Sequence, residues 1–208
     1  QFAKKGDELV TMGDYGDAPH DYAHDAKPKV LPSREQVVQA LGHPARVFAI
    51  APATELCQLH REVGGKPYFL LDDRDTKAVL LSNRVDGTTD KNPLRRMILH
   101  APPAQIAHKP KGRVVFDSRV ELLGWDMPKR VGRGSKFDVT MYYKVLQPVG
   151  GAWQVLMHFD GAAGRAGNGD HFPIENKCQT STWQPGDYIV DRFTVQGLAP
   201  AFPAGTYD

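Results

Sequence analysis

The chain has 208 residues and a formal net charge of +2, and 41% of its residues are hydrophobic. No stretch combines basic residues with interleaved aromatic residues, so we expect no nucleic-acid partner. The longest apolar runs are far too short to cross a bilayer, so contact with a membrane is expected only through a segment absent from this chain.

Residues 1–32 are predicted to be an irregular N-terminal segment or linker. Gly, Pro, Asp and His recur there without a sustained hydrophobic period. His20, Asp21, His24 and Asp25 suggest a metal site, but neighbouring side chains in a loop lack a fixed ligand geometry. A solvated polar loop is therefore the favoured interpretation.

Residues 33–110 predict a small α+β or mainly β subdomain. Ser33 followed by Gln36 is a pattern that caps the start of a helix, and Val37 and Leu41 would share one face of it. Short apolar runs between turn residues predict strands in the rest of this segment.

From residue 113 onward the sequence has the period of half-buried β-strands. Apolar and polar residues alternate from Phe137 to Val145 and again from Trp153 to Phe159, as a strand with one face on a core requires. The predicted strands are 114–123, 136–146, 152–159 and 188–195. Residues 113–208 are therefore predicted to form an antiparallel β-sandwich, which makes the whole chain mainly β.

The cysteines Cys57 and Cys178 are far apart and form no Cys-x-x-Cys motif, so a structural zinc site is not predicted. Two buried thiols are the favoured interpretation of this pair. One disulfide between them is the alternative, and it would require an oxidising compartment.

The best chemical cluster consists of His158 and Asp160, followed by Asp170 and His171. Two imidazoles and two carboxylates can bind Zn²⁺, or act as an acid and base, when they converge. The favoured interpretation is that these side chains hold a long loop through hydrogen bonds. We therefore expect no cofactor, with a divalent metal as the alternative.

Asp191 lies in the middle of a predicted strand, on the same face as Ile189 and Phe193. A buried carboxylate needs partners, because desolvation disfavours its charge. Arg165, Arg192 or a backbone turn are the candidate partners, and the expected role is structural rather than catalytic.

Trp125, Trp183 and Tyr188 are the candidate ligand-binding residues. Flat aromatic rings near polar groups suit sugars, because a ring face meets CH groups while the hydroxyls take hydrogen bonds. Trp153 is assigned to the core instead, because it belongs to an alternating segment. Ordinary packing is the competing interpretation for all of these rings.

Four segments of the C-terminal half carry a family resemblance: VELLGWDMPKR at 120–130, WQVLMHFD at 153–160, TWQPGDYIVDRF at 182–193 and PAFPAGTYD at 200–208. Together they resemble the immunoglobulin-like extracytoplasmic β-sandwich that is appended to bacterial multi-pass membrane proteins, including glycosyltransferase-type ones. The resemblance covers about residues 113–208, and many of the shared positions are turn residues.

This resemblance implies a non-catalytic binding or scaffolding module, with no catalytic residues to carry over. It also implies a place on the periplasmic or extracellular face of a membrane-anchored protein, which could itself be an enzyme. The expected partner is a protein or a glycan of the cell envelope. The alternative function is a metal-dependent enzyme that uses His158, Asp160, Asp170 and His171.

The same resemblance bears on the end of the chain. In the family pattern a Gly-x-Tyr sequence, here Gly205 to Tyr207, opens a last strand. We therefore expect the natural chain to continue past Asp208, or another chain or the N-terminal segment to pair with the strand edge that would otherwise be vacant.

Overall fold

The computed structural model describes residues 4, 6–14, 28–75, 77–85, 92–132, 134–161 and 164–199. They form a mainly β protein, as predicted, and the chain divides into two compact units, Gln1–Pro93 and Leu94–Asp208. The His and Asp cluster at 20–25 and the Gly205–Asp208 strand entry lie outside the described residues, so the expectations about them stay predictions.

The first unit is a mixed five-stranded sheet with two short α-helices. Its elements are β1 (Glu8–Met12), β2 (Lys29–Leu31), α1 (Arg34–Leu41), β3 (Val47–Pro52), α2 (Leu56–Glu62), β4 (Phe69–Asp72) and β5 (Ala78–Ser82). The strand order is β2-β1-β3-β5-β4. Strand β1 is parallel to both of its neighbours, and β5 is antiparallel to both of its own.

Helix α1 confirms the capping pattern seen in the sequence. The Ser33 hydroxyl accepts a hydrogen bond from the Gln36 backbone N–H at 3.4 Å, which satisfies one of the free donors in the first turn. Val37 and Leu41 are buried, and Gly42 ends the helix. Local sequence therefore fixes this element.

The expected boundaries of the N-terminal half are wrong in two places. Residues 8–12 and 29–31 form strands β1 and β2 rather than an irregular segment, and Leu9 and Val10 are buried because β1 lies between β2 and β3. The chain divides after Pro93 instead of near residue 110. Both errors concern strands of five residues or fewer, which carry little periodic signal.

The second unit contains a five-stranded antiparallel sheet and a separate two-stranded hairpin. Its elements are α3 (Leu94–Met97), β6 (Ile98–Leu99), β7 (Val114–Phe116), β8 (Val120–Asp126), β9 (Phe137–Val145), β10 (His158–Gly161), β11 (Gly164–Asn168) and β12 (Tyr188–Val195). The sheet order is β6-β12-β9-β8-β7, and β10 pairs with β11.

One apolar cluster packs the hairpin onto the sheet. Phe159 of β10 and Ala166 of β11 pack with Phe137 and Val139 of β9 and with Val195 of β12. The rings of Phe137 and Phe159 meet edge to face, with centroids 5.6 Å apart, which is a favoured aromatic geometry. The alternation predicted for β9 therefore places its apolar residues against a second layer.

Two of the predicted strands differ from the observed ones. The predicted strand 114–123 is a hairpin, because Asp117 and Ser118 take positive φ values of 46° and 56° and reverse the chain between β7 and β8. The predicted strand 152–159 is mostly irregular, with a single bridge from Val155 to His171 before β10 begins at His158.

Candidate ligand-binding site

An apolar cleft of about 540 Å³ lies in the second unit, between the β7–β8 hairpin and residues 153–156. Three of its lining residues are large apolar side chains that face solvent: Phe116 is 52% exposed, Trp153 is 64% exposed and Leu156 is 66% exposed. Large exposed apolar side chains grouped in one concavity are uncommon and mark binding surfaces.

The β7–β8 hairpin places Phe116 on one wall of the cleft. The Arg119 N–H donates to the Phe116 carbonyl oxygen at 2.9 Å across the Asp117–Ser118 turn. Two consecutive central residues with positive φ are typical of a tight hairpin turn whose twist matches that of its strands. The Arg119 guanidinium also donates to the Asp117 carboxylate at 2.9 Å, so polar groups lie next to the apolar wall.

Hydrogen bonds to Thr180 fix the opposite wall. The Trp153 backbone N–H donates to the Thr180 hydroxyl oxygen at 2.8 Å, and that hydroxyl donates to the Gly151 carbonyl oxygen at 2.7 Å. The Trp153 indole N–H donates to the Gly150 carbonyl oxygen at 3.1 Å. The exposed indole is therefore held in place before any ligand arrives, which lowers the entropic cost of binding.

Buried aromatic residues form the floor of the cleft. Tyr143 of β9 and Trp183 are both buried, and their ring centroids lie 6.1 Å apart. The Trp183 indole N–H donates to the Cys178 carbonyl oxygen at 3.1 Å, so its polar atom is satisfied inside the protein. The floor is mainly apolar, and it suits an apolar group more than a polar one.

The three aromatic residues predicted to bind a ligand do not meet at one place. Trp183 is in the cleft floor, whereas Trp125 in β8 stacks on His108 at a centroid distance of 6.0 Å. Tyr188 in β12 lies 5.7 Å from the Lys144 ammonium group. A ligand-binding role for each of them stays a prediction.

The assignment of Trp153 to the core is wrong. The residue lies before β10 in a segment that pairs with no neighbouring strand except at Val155 among the described residues, so its alternating pattern does not correspond to a buried face. Sequence reasoning also missed Phe116 and Leu156. The Gly150–Gly151 pair was the available signal, since it allows the chain to leave the sheet just before Trp153.

The predicted metal cluster is divided between separate interactions. His158 Nε2 lies 3.5 Å from Asp170 Oδ1, and the same carboxylate oxygen accepts the Met157 backbone N–H at 2.9 Å. Asp160 instead pairs with Arg165 at 3.1 Å. Within the described parts of the chain no group of three or more His, Cys, Asp or Glu residues could hold a metal ion. Metal binding at these side chains stays a prediction.

His171 forms an ion pair with the buried carboxylate of Asp191. His171 Nε2 is 2.8 Å from Asp191 Oδ2, and His171 Nδ1 is 2.6 Å from the Gly169 carbonyl oxygen. With Asp191 ionised, both partners only accept hydrogen bonds, so this arrangement favours the imidazolium form, in which both ring nitrogens donate. The ring also stacks on Phe193, with centroids 3.7 Å apart.

Asp191 therefore has partners, as the sequence required, but neither Arg165 nor Arg192 is among the hydrogen-bond donors observed. Its second oxygen accepts the Ile174 backbone N–H at 2.9 Å. The predicted backbone turn supplies this half of the bonding, and His171 supplies the other half. His171 thus neutralises the buried charge of Asp191, and Asp191 fixes the turn that begins at Phe172.

The pKa of His171 is raised above its ordinary value of 6.5. Burial lowers this pKa, but the hydrogen bonds to Asp191 and to the Gly169 carbonyl, together with the charges of Asp191 and Asp170, outweigh it. A histidine with a raised folded-state pKa contributes stability below its unfolded-state pKa, and that contribution is lost as the pH rises through the folded-state value.

We therefore expect the urea midpoint of the wild-type chain to fall more between about pH 6 and pH 8 than that of His171→Gln, because glutamine cannot titrate in this range. Denaturation curves recorded at intervals across this range measure the difference. The remaining histidines are common to both proteins and cancel. Equal pH dependence in the two chains would contradict the imidazolium assignment.

Both cysteines are disulfide-bonded, and both side chains are buried. The favoured interpretation of two free thiols is therefore wrong. Since the chain has no other cysteine, pairing of Cys57 with Cys178 remains the prediction.

We expect the native and the urea-unfolded protein to resist alkylation by iodoacetamide unless a reductant is added, as read by mass spectrometry. Alkylation of the unfolded protein without a reductant would contradict the disulfide.

Comparisons with protein families, curated proteins and solved structures found no match to this chain. Among the described residues, no helix has the length and apolar character needed to cross a membrane.

Proposed function

We propose that this chain is a non-catalytic binding module that holds a protein partner through the apolar cleft of its second unit. The observation that carries the proposal is the group of exposed Phe116, Trp153 and Leu156 around one concave apolar surface. Interfaces are dominated by a few aromatic side chains in such positions.

The lining of the cleft favours an apolar protein segment over a glycan. Val120, Val149 and Val155 line it together with the aromatic residues. The polar lining residues Asp117, Arg119 and Thr180 already form hydrogen bonds within the protein. A sugar placed in the cleft would therefore leave most of its hydroxyl groups without partners, which is costly. An aliphatic or aromatic side chain loses no hydrogen bonds there and gains from leaving water.

Strand β7 offers backbone groups beside the cleft. It is the last strand in the sheet order, and its sequence is Val114-Val115-Phe116. An edge strand without charged side chains is a template for another extended chain. We infer that the partner adds an extended segment to β7 and places one apolar side chain in the cleft, which is a common mode of peptide recognition.

The compartment and family belong to the same proposal. The disulfide-bonded state of both cysteines supports an oxidising location, such as the periplasmic or extracellular face of the cell. The antiparallel sheet that shares a core with a hairpin supports an immunoglobulin-like sandwich of the kind appended to bacterial membrane proteins. The protein partner would then be a component of the cell envelope.

Peptides selected from a random phage-displayed library test the cleft directly. We expect the selected peptides to contain an apolar anchor residue and to lose about 2 kcal/mol of binding free energy, roughly thirtyfold in Kd, on Trp153→Ala. Isothermal titration calorimetry with synthetic peptides measures the loss. Trp153 is exposed, so the substitution removes the indole without leaving a cavity in the core.

Phe172→Ala is the matched control, because Phe172 is also an exposed aromatic residue but does not line the cleft. We expect it to leave peptide affinity unchanged. Phe116→Ala should weaken binding in the same direction as Trp153→Ala. If no selected peptide depends on either Trp153 or Phe116, the cleft is not the binding site and the proposal fails.

A further inference from the structure

A second groove of about 710 Å³ lies next to strands β9 and β12, and it shares no lining residue with the apolar cleft. Its lining combines the apolar side chains of Val139, Phe172 and Phe193 with hydroxyl, amide, carboxylate and guanidinium groups, which belong to Asp138, Thr140, Glu175, Arg192, Thr194 and Gln196. Its size falls within the range of small-ligand sites, which is roughly 300–1,000 Å³.

One exposed aromatic ring lies in this groove. Phe172 is 45% exposed, although a phenyl ring gains nothing from contact with water. It directly follows His171, whose ring is packed on Phe193 and bonded to Asp191. The position of the Phe172 backbone is therefore set by a buried ion pair.

The chain that follows Phe172 is held in an unfavourable backbone conformation. Ile174, Glu175 and Asn176 have φ values of 55°, 53° and 61°, a left-handed region that disfavours residues with a side chain and especially branched ones. The carboxylate of Asp191, which is 0% exposed, accepts the Ile174 N–H and holds this turn. Such conformations persist only where the surroundings enforce them, and they concentrate at binding sites.

The charges around the groove select the ligand class. Arg192 lines the groove together with the carboxylates of Asp138 and Glu175, which also bond to Thr194 and Lys177, and the charge of His171 is balanced by Asp191. A groove with both signs of charge lacks the cationic excess that a phosphate requires. It does offer both donors and acceptors, which is what a ligand rich in hydroxyl groups requires.

We propose that this groove is a carbohydrate-binding site, in which Phe172 contacts the CH face of a neutral sugar while Arg192 and the carboxylates bind its hydroxyl groups. The proposal goes beyond the protein-binding cleft and uses none of its residues. An aromatic platform combined with convergent polar side chains is the arrangement that sugars favour. The module would then hold a glycan and a protein at separate surfaces.

Titration of the isotope-labelled chain with cellohexaose, maltohexaose and chitohexaose, each alone, tests the site by nuclear magnetic resonance. We expect at least one of them to give saturable shifts of the backbone amides at residues 171, 172, 174, 175 and 192–196. Phe172→Ala and Arg192→Gln should each weaken that binding at least tenfold, and Phe172→Tyr should restore it because tyrosine keeps the ring.

Trp153→Ala is the control variant, and it should leave the sugar affinity unchanged because Trp153 lies in the other cleft. Unchanged melting curves of the two groove variants would show that lost binding is not lost folding. The proposal is overturned if none of the sugars shifts these amides, or if the shifts survive Phe172→Ala. It is also overturned if inorganic phosphate competes for the same amides, which would identify an anion site.

Discussion

Asp191→Ala should lower the free energy of unfolding of the second unit by about 3–5 kcal/mol, the range expected when one member of a buried ion pair is removed. Asp191 is 0% exposed, and its two oxygens accept from His171 and from the Ile174 N–H. Alanine would leave the imidazolium without its counter-charge and the Ile174 N–H without an acceptor. It would also release the left-handed turn at residues 174–176.

Urea denaturation followed by tryptophan fluorescence measures this loss, and Asp160→Ala is the matched control. Asp160 also pairs with a cationic residue, Arg165, but its side chain is 58% exposed. An exposed ion pair of this kind contributes about 0–1 kcal/mol. Asp191→Asn should fall between the two variants, because its amide oxygen can still accept one hydrogen bond. Equal losses for the alanine variants would show that the pair is not a buried structural element.

The elements predicted best are those whose signal is local. Helix α1 follows from Ser33, Gln36 and an apolar face within the same turns. Strand β9 follows from alternation over nine residues, long enough to distinguish a strand from a helix. Strand β12 was recovered over its full length, Tyr188–Val195. In each case the information lies within one stretch of chain.

The features that sequence reasoning missed depend on contacts between distant residues. Trp153 lies in a segment where apolar and polar residues alternate. Its position is nevertheless set by a hydrogen bond to Thr180, which is 27 positions away along the chain. Phe116 is exposed because Asp117 and Ser118 reverse the chain inside what looks like one continuous strand. An Asp-Ser pair is a weak turn signal beside Asn-Gly or Asp-Gly.

Asp191 shows where prediction from sequence stops. Its apolar neighbours Ile189 and Phe193 were enough to predict an inward carboxylate that needs partners. They did not identify His171, because histidine is also common in solvated loops and its distance from Asp191 depends on the fold. The sequence therefore predicts that a buried charge must be satisfied, and the tertiary structure determines which residue satisfies it.

Gly124→Ala should destabilise the second unit by about 3 kcal/mol or more, because overpacking and backbone strain act together there. A methyl group at this position would lie 2.1 Å from the His108 carbonyl oxygen and 2.6 Å from Ile106 Cγ2. That carbonyl accepts the Trp125 N–H at 2.9 Å, so it cannot move away without breaking a bridge between the two segments. Gly124 also has a φ of 149°, which side chains rarely adopt.

Gly112→Ala provides the matched control in the same unit. A methyl group at this position meets no atom within 4 Å, and the φ of Gly112 lies outside the left-handed region. We expect its stability to change by less than about 1 kcal/mol, since replacing a glycine of ordinary conformation mainly restricts the unfolded chain. Thermal unfolding of the two variants beside the wild type gives the comparison. A Gly124→Ala protein as stable as Gly112→Ala would mean that residues 106–108 do not pack against β8 in solution.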